Sequence, residues 1–599
     1  MWALQAEEYD RKYRDRELFR RIFAYFGPYK GSVLVVVTFL VLTAIANALV
    51  PILLAIAISN LVASKDISFL FLLIAFTLVL NLSGWLFNYF RQVHSARVIG
   101  DIVLDLRDNV NTAVLNHDLS FFDKYPTGKI VSRVNTDSRD FGQSAALFMQ
   151  TTSSFLVVAI MLVALAAINP RLSLIVILMI PIIFVTALSF RKIARKLTLL
   201  GQRALAVVNA YVQESISGIS VAKTFRQEDK LHEKFMEVNN QSYRVNWKRG
   251  VTIMTIFPIL TMIQGITLAF IIFYGGTSLS NGEIDAGELF LFLQSLWFLF
   301  FPLLSIASFW PQFQAGLSAS ERIFALIDTP PAVLQKNDLQ PEQLQGEILF
   351  DNLQFAYVEG QPIFNDFSLS IKPGESVAIV GHTGAGKSSL AKLLARFYEF
   401  QGGDILIDGV SIRDFNLHAY RKQIGIIPQT PFLWGDTLEN NVKYGKPDAS
   451  REEVEWALEQ AGGADWVGDL PNGLETNIRE RGSLLSMGQR QLVAFARVIL
   501  ENPSILILDE ATASVDPFTE TRIQDAVQQT IAGRTSIVIA HRLWTVRHVD
   551  RIVVLDHGRV VEEGNHDELM AKGGHYANLY STYFRHQSLE YIAQAKQLA

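Results

Sequence analysis

The chain of 599 residues contains no cysteine. Disulfide frameworks, thiolate zinc sites and cysteine nucleophiles are therefore excluded. It is also poor in charge. Asp, Glu, Lys and Arg make up 19% of residues against 50% hydrophobic ones, and the net charge is only −5. So small a net charge gives no argument for nucleic-acid binding. The N-terminal MWALQAEEYDRKYRDRELFRR has no apolar core of its own, so no cleavable signal peptide is expected there. A chain of this length is expected to hold more than one domain.

The apolar excess is concentrated before residue 310, in six runs at about 32–62, 69–90, 145–168, 172–190, 253–274 and 289–306. Each is close to or above the ~20 helical residues that cross a bilayer. A soluble core can supply one or two such runs but hardly six in succession. The stretch 91–145 carries seven Lys or Arg and 191–250 carries twelve, whereas 276–288 has none. The positive-inside rule then puts both termini and both long loops in the cytoplasm. Val103, Leu106, Val110 and Val114 share a helical face, as do Leu205, Val208, Val212 and Ile216. The loops are thus expected to be helical extensions below the bilayer. Residues 16–26, ended by Gly27-Pro28, read as an amphipathic helix lying in the interface. The spans hold few charges but several amides, among them Asn47, Asn81, Gln150 and Gln264. This disfavours a proton- or ion-coupled carrier. It fits a path for neutral or amphipathic molecules, although amides also serve as helix–helix glue.

After Trp310 a charged helix leads to Pro330-Pro331 and a polar linker. From Gly346 short apolar strands alternate with helical stretches, predicting an α/β domain with a largely parallel core sheet. Within it, residues 381–388 read GHTGAGKS, between the apolar run 376–380 and the helix-like 389–394. This is the phosphate-binding P-loop in its strand–loop–helix setting. The candidate nucleotide contacts are Gly381, His382, Thr383, Gly384, Ala385, Gly386, Lys387, Ser388 and Ser389. Lys387 would reach the β- and γ-phosphates and Ser388 would ligate Mg²⁺. The strand Ile505-Leu506-Ile507-Leu508 ends in Asp509 and Glu510. Asp509 would hold the Mg²⁺ and Glu510 would polarise the attacking water.

Leu485-Ser486-Met487-Gly488-Gln489 resembles the signature motif of ATP-binding cassette (ABC) transporters. Other elements of that family follow in its order. Tyr357 matches the aromatic that stacks on adenine, Gln429 the Q-loop, Glu480-Arg481-Gly482 the X-loop of exporters, Ser514-Val515-Asp516 the D-loop, and His541 the switch histidine. Residues 119–137 and 214–228 look like the two intracellular coupling segments of exporter-fold (type IV) members. The resemblance spans essentially the whole chain.

The resemblance implies a six-helix transmembrane domain followed by an α/β P-loop domain. The expected boundaries are 1–30 for the N-terminal segment, 31–325 for the membrane domain, 326–345 for a linker, 346–582 for the ATP-binding cassette and 583–599 for a tail. It implies ATP and Mg²⁺ as cofactors, with Ser388, Gln429 and Asp509 at the metal and Glu510, His541 and Lys387 in catalysis. It also implies that Ser486, Gly488, Gln489 and Asp516 serve an ATP site shared between two cassettes. One cassette and six spans then make a half-transporter that must dimerise in the cytoplasmic membrane. One departure stands out: Met487 occupies a position where the family's usual residue is Gly. That resembles subunits of heterodimeric exporters, so a heterodimer is favoured over a homodimer. The resemblance implies export of hydrophobic or amphipathic compounds such as drugs or lipids. An ATP-gated channel and an exporter-fold importer stay open at this point.

Overall fold

The computed structural model describes residues 13–64, 67–509, 517–540 and 543–584. Glu510, the D-loop with Asp516, His541 and most of the expected tail lie outside the described residues. The chain divides into two compact units. The first comprises Met1–Leu115 and Thr127–Thr329, and the second Asn116–Pro126 and Pro330–Ala599.

The first unit is helical: α1 (Asp15–Phe26), α2 (Lys30–Ser64), α3 (Ile67–Leu115), α5 (Thr127–Ser132), α6 (Ser138–Ile168), α7 (Pro170–Ser217), α8 (Ile219–Phe225), α9 (Glu228–Ser280) and α10 (Ala286–Ile327). Helix α4 (Leu119–Lys124) belongs to the second unit. Among the described residues, six helices are long and apolar enough to cross a membrane, and each contains one of the six apolar runs. Helix α3 runs 25 residues past Phe90, and α9 continues for 53 residues, which is about 80 Å at 1.5 Å per residue. The long loops are therefore helical extensions, as the apolar stripes predict.

Local chemistry sets the helix ends. Gly27 closes α1 by donating its N–H to Ala24, and Pro28 has no N–H with which to continue it. The Asn169 side chain accepts from the N–H groups of Arg171 and Leu172, and Pro170 opens α7 with its φ already helical. Asp285 and Glu288 form a reciprocal capping box at the start of α10. The core of the unit lies among α6, α7, α9 and α10, around Met161, Val176, Leu260, Ile271 and Phe292. Large apolar side chains elsewhere point outward. Phe71, Leu72, Leu78, Leu82 and Trp85 of α3 are 59–69% exposed. A soluble surface does not carry such a patch, whereas a hydrocarbon-facing one does.

The second unit holds two sheets. The larger has six strands in the order β10-β9-β3-β8-β7-β6. These are β3 (Ser376–Gly381), β6 (Ile424–Ile427), β7 (Ile505–Asp509), β8 (Thr535–Ile539), β9 (Arg551–Asp556) and β10 (Arg559–Gly564). The first five run parallel to their neighbours and β10 is antiparallel. Successive side chains point to opposite faces. In β7, Ile505 and Ile507 enter one core while Leu506 and Leu508 enter the other. Both faces are buried, so the strand reads as an unbroken apolar run.

The smaller sheet has the order β2-β1-β4-β5 and is antiparallel: β1 (Ile348–Ala356), β2 (Pro362–Ile371), β4 (Gly402–Ile407) and β5 (Val410–Ser411). The EILFDNLQF strand thus lies outside the parallel sheet. A five-residue connection joins it to β2. That is too short for the helical crossover a parallel neighbour needs. Helix α11 (Lys387–Leu394) buries Leu390, Leu393 and Leu394 in the core that this sheet shares with one face of the larger one.

Candidate functional site

Parallel register brings the functional segments to one edge of the large sheet. Ile379 of β3 pairs with Ile539 of β8, Asp509 of β7 pairs with the same Ile539, and Ile427 of β6 pairs with Leu508. The P-loop follows β3, Asp509 ends β7, and Gln429 stands two residues past β6, exposed. Ligands in open α/β sheets bind at this carboxyl edge. Glu510 and His541 follow β7 and β8 in the sequence and lie outside the described residues.

The P-loop is shaped by two left-handed glycines. Gly384 has φ +86° and Gly386 φ +103°. A Cβ on Gly386 would stand 2.9 Å from the Phe364 ring, so the position excludes other residues by backbone and by space. Lys387 opens α11 and is buried, and its ammonium donates to the carbonyls of Gly381 (2.7 Å) and His382 (3.0 Å). Burial pushes its pKa down, and the negative charge of Asp509 opposes that shift. His382, Thr383, Gly384 and Ser388 are exposed, whereas Ala385, Gly386 and Ser389 are buried beneath them. The loop thus presents its polar rim outward, ahead of the positive end of α11, as an anion cradle requires.

Tyr357 follows β1 and is 42% exposed. Its ring meets Phe355 edge-on at 4.7 Å and Tyr398 at 5.0 Å and 89°. Its hydroxyl donates to Ser389 Oγ at 3.2 Å. The Lys392 ammonium lies 5.7 Å from both tyrosine rings. One aromatic face is thereby held rigid beside the P-loop helix, which suits stacking on a flat base.

Sequence reading missed what stands behind Tyr357. The Tyr398 hydroxyl donates to Asp123, on α4. Burial, with the hydrogen bond to Asp123 and its charge, pushes the Tyr398 pKa up. Asp118 caps α4 by accepting from Ser120, and its second oxygen accepts from the N–H groups of Ala332 (2.6 Å) and Val333 (3.2 Å). Burial works to raise the Asp118 pKa, but the hydrogen bonds from Ser120, Val333 and Ala332 outweigh it and hold the pKa low. His117 stacks flat on Phe121, with centroids 4.0 Å apart. The only sequence hint was the aromatic cluster that follows the P-loop helix, Phe397-Tyr398.

Ser486 caps the 15-residue helix Met487–Glu501. Its hydroxyl accepts from the Gln489 N–H (3.2 Å), while the Gln489 side chain accepts from the Ser486 N–H (2.8 Å). Ser486 is exposed and Gly488 is buried. The side chain of Met487 turns along its own helix, with the sulfur 3.8 Å from Arg490 Nη2. Arg490 also donates to the carbonyls of Gly482 (3.2 Å) and Leu485 (2.8 Å). The Glu480-Arg481-Gly482 turn is thus tied to the signature helix, a link that motif matching did not anticipate.

Comparison with known proteins agrees with this architecture. Residues 33–303 match the family model described as ABC transporter transmembrane region, and residues 364–513 match the one described as ABC transporter. An uncharacterized ABC transporter ATP-binding protein of Bacillus subtilis, YknV, is 36% identical over 576 residues, covering 94% of each chain. An ATP-dependent lipid A-core flippase of Desulfotalea psychrophila is 32% identical over 571 residues, covering 95% of this chain and 99% of its own. A fatty acid ABC transporter ATP-binding/permease protein of Mycobacterium tuberculosis is 35% identical over 474 residues, covering 79% and 75%. A solved bacterial Atm1-family ABC exporter with ATP bound superposes with a TM-score of 0.76 at 28% identity, covering 95% of this chain and 99% of that one. The chain belongs to the ABC transporters of the exporter type, as a multi-pass half-transporter that fuses a membrane region to a nucleotide-binding ATPase.

Proposed function

We propose that the chain moves hydrophobic or amphipathic compounds, with lipids as the leading class, outward across the cytoplasmic membrane by ATP-driven alternating access. The observation that carries this reading is the shared sheet edge. The P-loop, Asp509 and Gln429 gather at one end of a parallel sheet in a chain that also has six apolar spans. The relatives named as lipid A-core flippase and fatty acid transporter support the lipid class.

The Gly384–Ser388 run would cradle the phosphates and Tyr357 would stack on the adenine. Ser388, Gln429 and Asp509 would hold Mg²⁺, whose charge neutralises the phosphoryl oxygens. Glu510 would orient and polarise the attacking water, and His541 would serve the γ-phosphate. In Glu510→Gln the ATPase rate is expected to fall about 10²- to 10⁴-fold while ATP binding persists. A pure ATP-gated channel would have no such rate to lose.

The signature Ser486 and Gly488 would serve a second cassette, so the working unit is a dimer. Exposed apolar side chains on the cytoplasmic extensions support this. Ile216 (67%), Val221 (59%) and Phe225 (69%) stand exposed among the described residues. Met487 favours a second, non-identical half-transporter, because a side chain at that position weakens one of the two ATP sites. Mass measurement of the chain purified alone checks this. A stable dimer with cooperative ATPase activity would overturn the heterodimer reading.

A further inference from the structure

Helix α1 is fixed to the membrane-spanning unit along one face. Arg21 donates to both carboxylate oxygens of Asp328, at 2.5 and 2.8 Å, and Tyr13 donates to the same carboxylate at 2.6 Å. Tyr25 stacks on Phe324 at 5.9 Å, and Leu18 is 4% exposed. The adjoining face, with Phe19, Ile22, Phe23 and Phe26, overlooks an apolar pocket of about 210 Å³. Its opposite walls come from α2, α6 and α10, through Val37, Phe148 and Phe313. Phe19 stacks on Phe313 at 5.8 Å, which sets the width of the pocket at that end.

Two hydroxyls line this pocket, those of Ser144 and Ser320. Both donate to carbonyls of their own helices, Ser144 to Asp140 (2.8 Å) and Ser320 to Gly316 (2.7 Å). Neither offers its proton to a ligand. An enclosed aliphatic cavity of about 150 Å³ already stays dry and takes up hydrocarbon. The mouth is open along Phe23 (59% exposed), Val37 (48%) and Phe148 (48%). It lies where the apolar runs of α2 and α6 begin, next to the cation-rich loops.

Cations border that mouth. Lys30 stands three and seven residues before Val33 and Val37, on the same face of α2. Arg16 and Arg20 lie one turn apart on α1, three residues before Phe19 and Phe23 respectively. All three are exposed, as are the acids Glu17 of α1 and Asp108 of α3, the latter lining a separate cleft with Ala24, Tyr25 and Pro28. We infer that this pocket binds one acyl chain of an anionic phospholipid from the cytoplasmic leaflet, with the phosphate resting on Lys30, Arg16 and Arg20. A zwitterionic headgroup brings no net charge to those cations, so the site prefers the anionic lipid.

The test uses the full-length protein in nanodiscs containing a phospholipid with a photoreactive diazirine in its acyl chain. The headgroup is phosphatidylglycerol in one arm and phosphatidylcholine in the other. Phosphatidylglycerol is expected to label peptides from α1, the start of α6 and the end of α10 several-fold more than phosphatidylcholine does. Ala145→Trp, which fills the pocket, should abolish that labelling while leaving the label on the outer surface of α3 unchanged. The double variant Arg20→Gln, Lys30→Gln should keep acyl labelling but lose the headgroup preference. If Ala145→Trp does not fold, Val37→Phe narrows the same pocket from its rim. Equal labelling by both headgroups would overturn the inference, as would labelling that ignores the filling variants. Cross-links from the pocket to residues 1–12 or to a second chain in place of lipid would overturn it equally, as would competition by a transported amphiphile.

Discussion

Glu501 sits at the end of the signature helix with its carboxyl largely withdrawn from water. Burial pushes its pKa up to about 7, only partly offset by Lys422. The folded protein therefore holds this proton more tightly than the unfolded chain, whose ordinary value is 4.5. Between these two values folding takes up a proton. Stability from this group is present at low pH and declines as pH rises from 4.5 through 7. Glu501→Gln, neutral at every pH, is expected to raise the melting temperature, and to raise it more at pH 8 than at pH 5.5. A gain independent of pH would contradict the burial argument. Nothing in the sequence marked this residue. A glutamate at a helix end reads as solvated, and only the packing of the domain removes its water.

Helix α4 has only six residues, too few to be stable alone. It is held by side chains: Asp118 to the linker backbone, and Tyr398 to Asp123. Tyr398 also packs edge-on against Tyr357, so one aromatic touches both the candidate adenine platform and the coupling segment. Tyr398→Phe keeps the ring contact and removes the hydroxyl. The KM for ATP is expected to change little, while the hydrogen bond to the exposed Asp123 carboxylate is lost, at a cost of about 1 kcal/mol. Stimulation of the ATPase by a transported amphiphile should therefore fall sharply. Loss of ATP affinity with stimulation intact would contradict this role.

Elements of strong period were legible in advance. Six apolar runs gave six helices, and the unbroken apolar strands gave the parallel sheet. The P-loop was legible because its chemistry is local: glycines at positive φ, then a lysine, then a helix. The antiparallel sheet around β1 was not, because alternating burial on short strands resembles that of any half-buried segment. The Tyr398–Asp123 link was not, because its two residues are 275 positions apart and only the fold makes them neighbours. The stripe Leu205, Val208, Val212 and Ile216 marks one helical face of the extension. In the structure only Val208 is buried, while Leu205 and Ile216 are 52% and 67% exposed.

At the scale of the molecule, six spans and one cassette form half of a machine whose ATP sites need a second signature motif. The surface agrees with that division. Apolar side chains stand exposed on α3, where hydrocarbon covers them, and on the ends of α7 and α8, where a second half-transporter would. The central claim is that ATP hydrolysis at the edge of the β3–β8–β7–β6 sheet drives an amphiphile outward. The decisive measurement uses inside-out membrane vesicles containing this chain and its second half, with a fluorescent lipid analogue supplied in the medium. ATP-dependent accumulation of the analogue in the lumen is expected, and none with Glu510→Gln. ATP hydrolysis without net movement, or ATP-driven loss of analogue from the lumen, would contradict it.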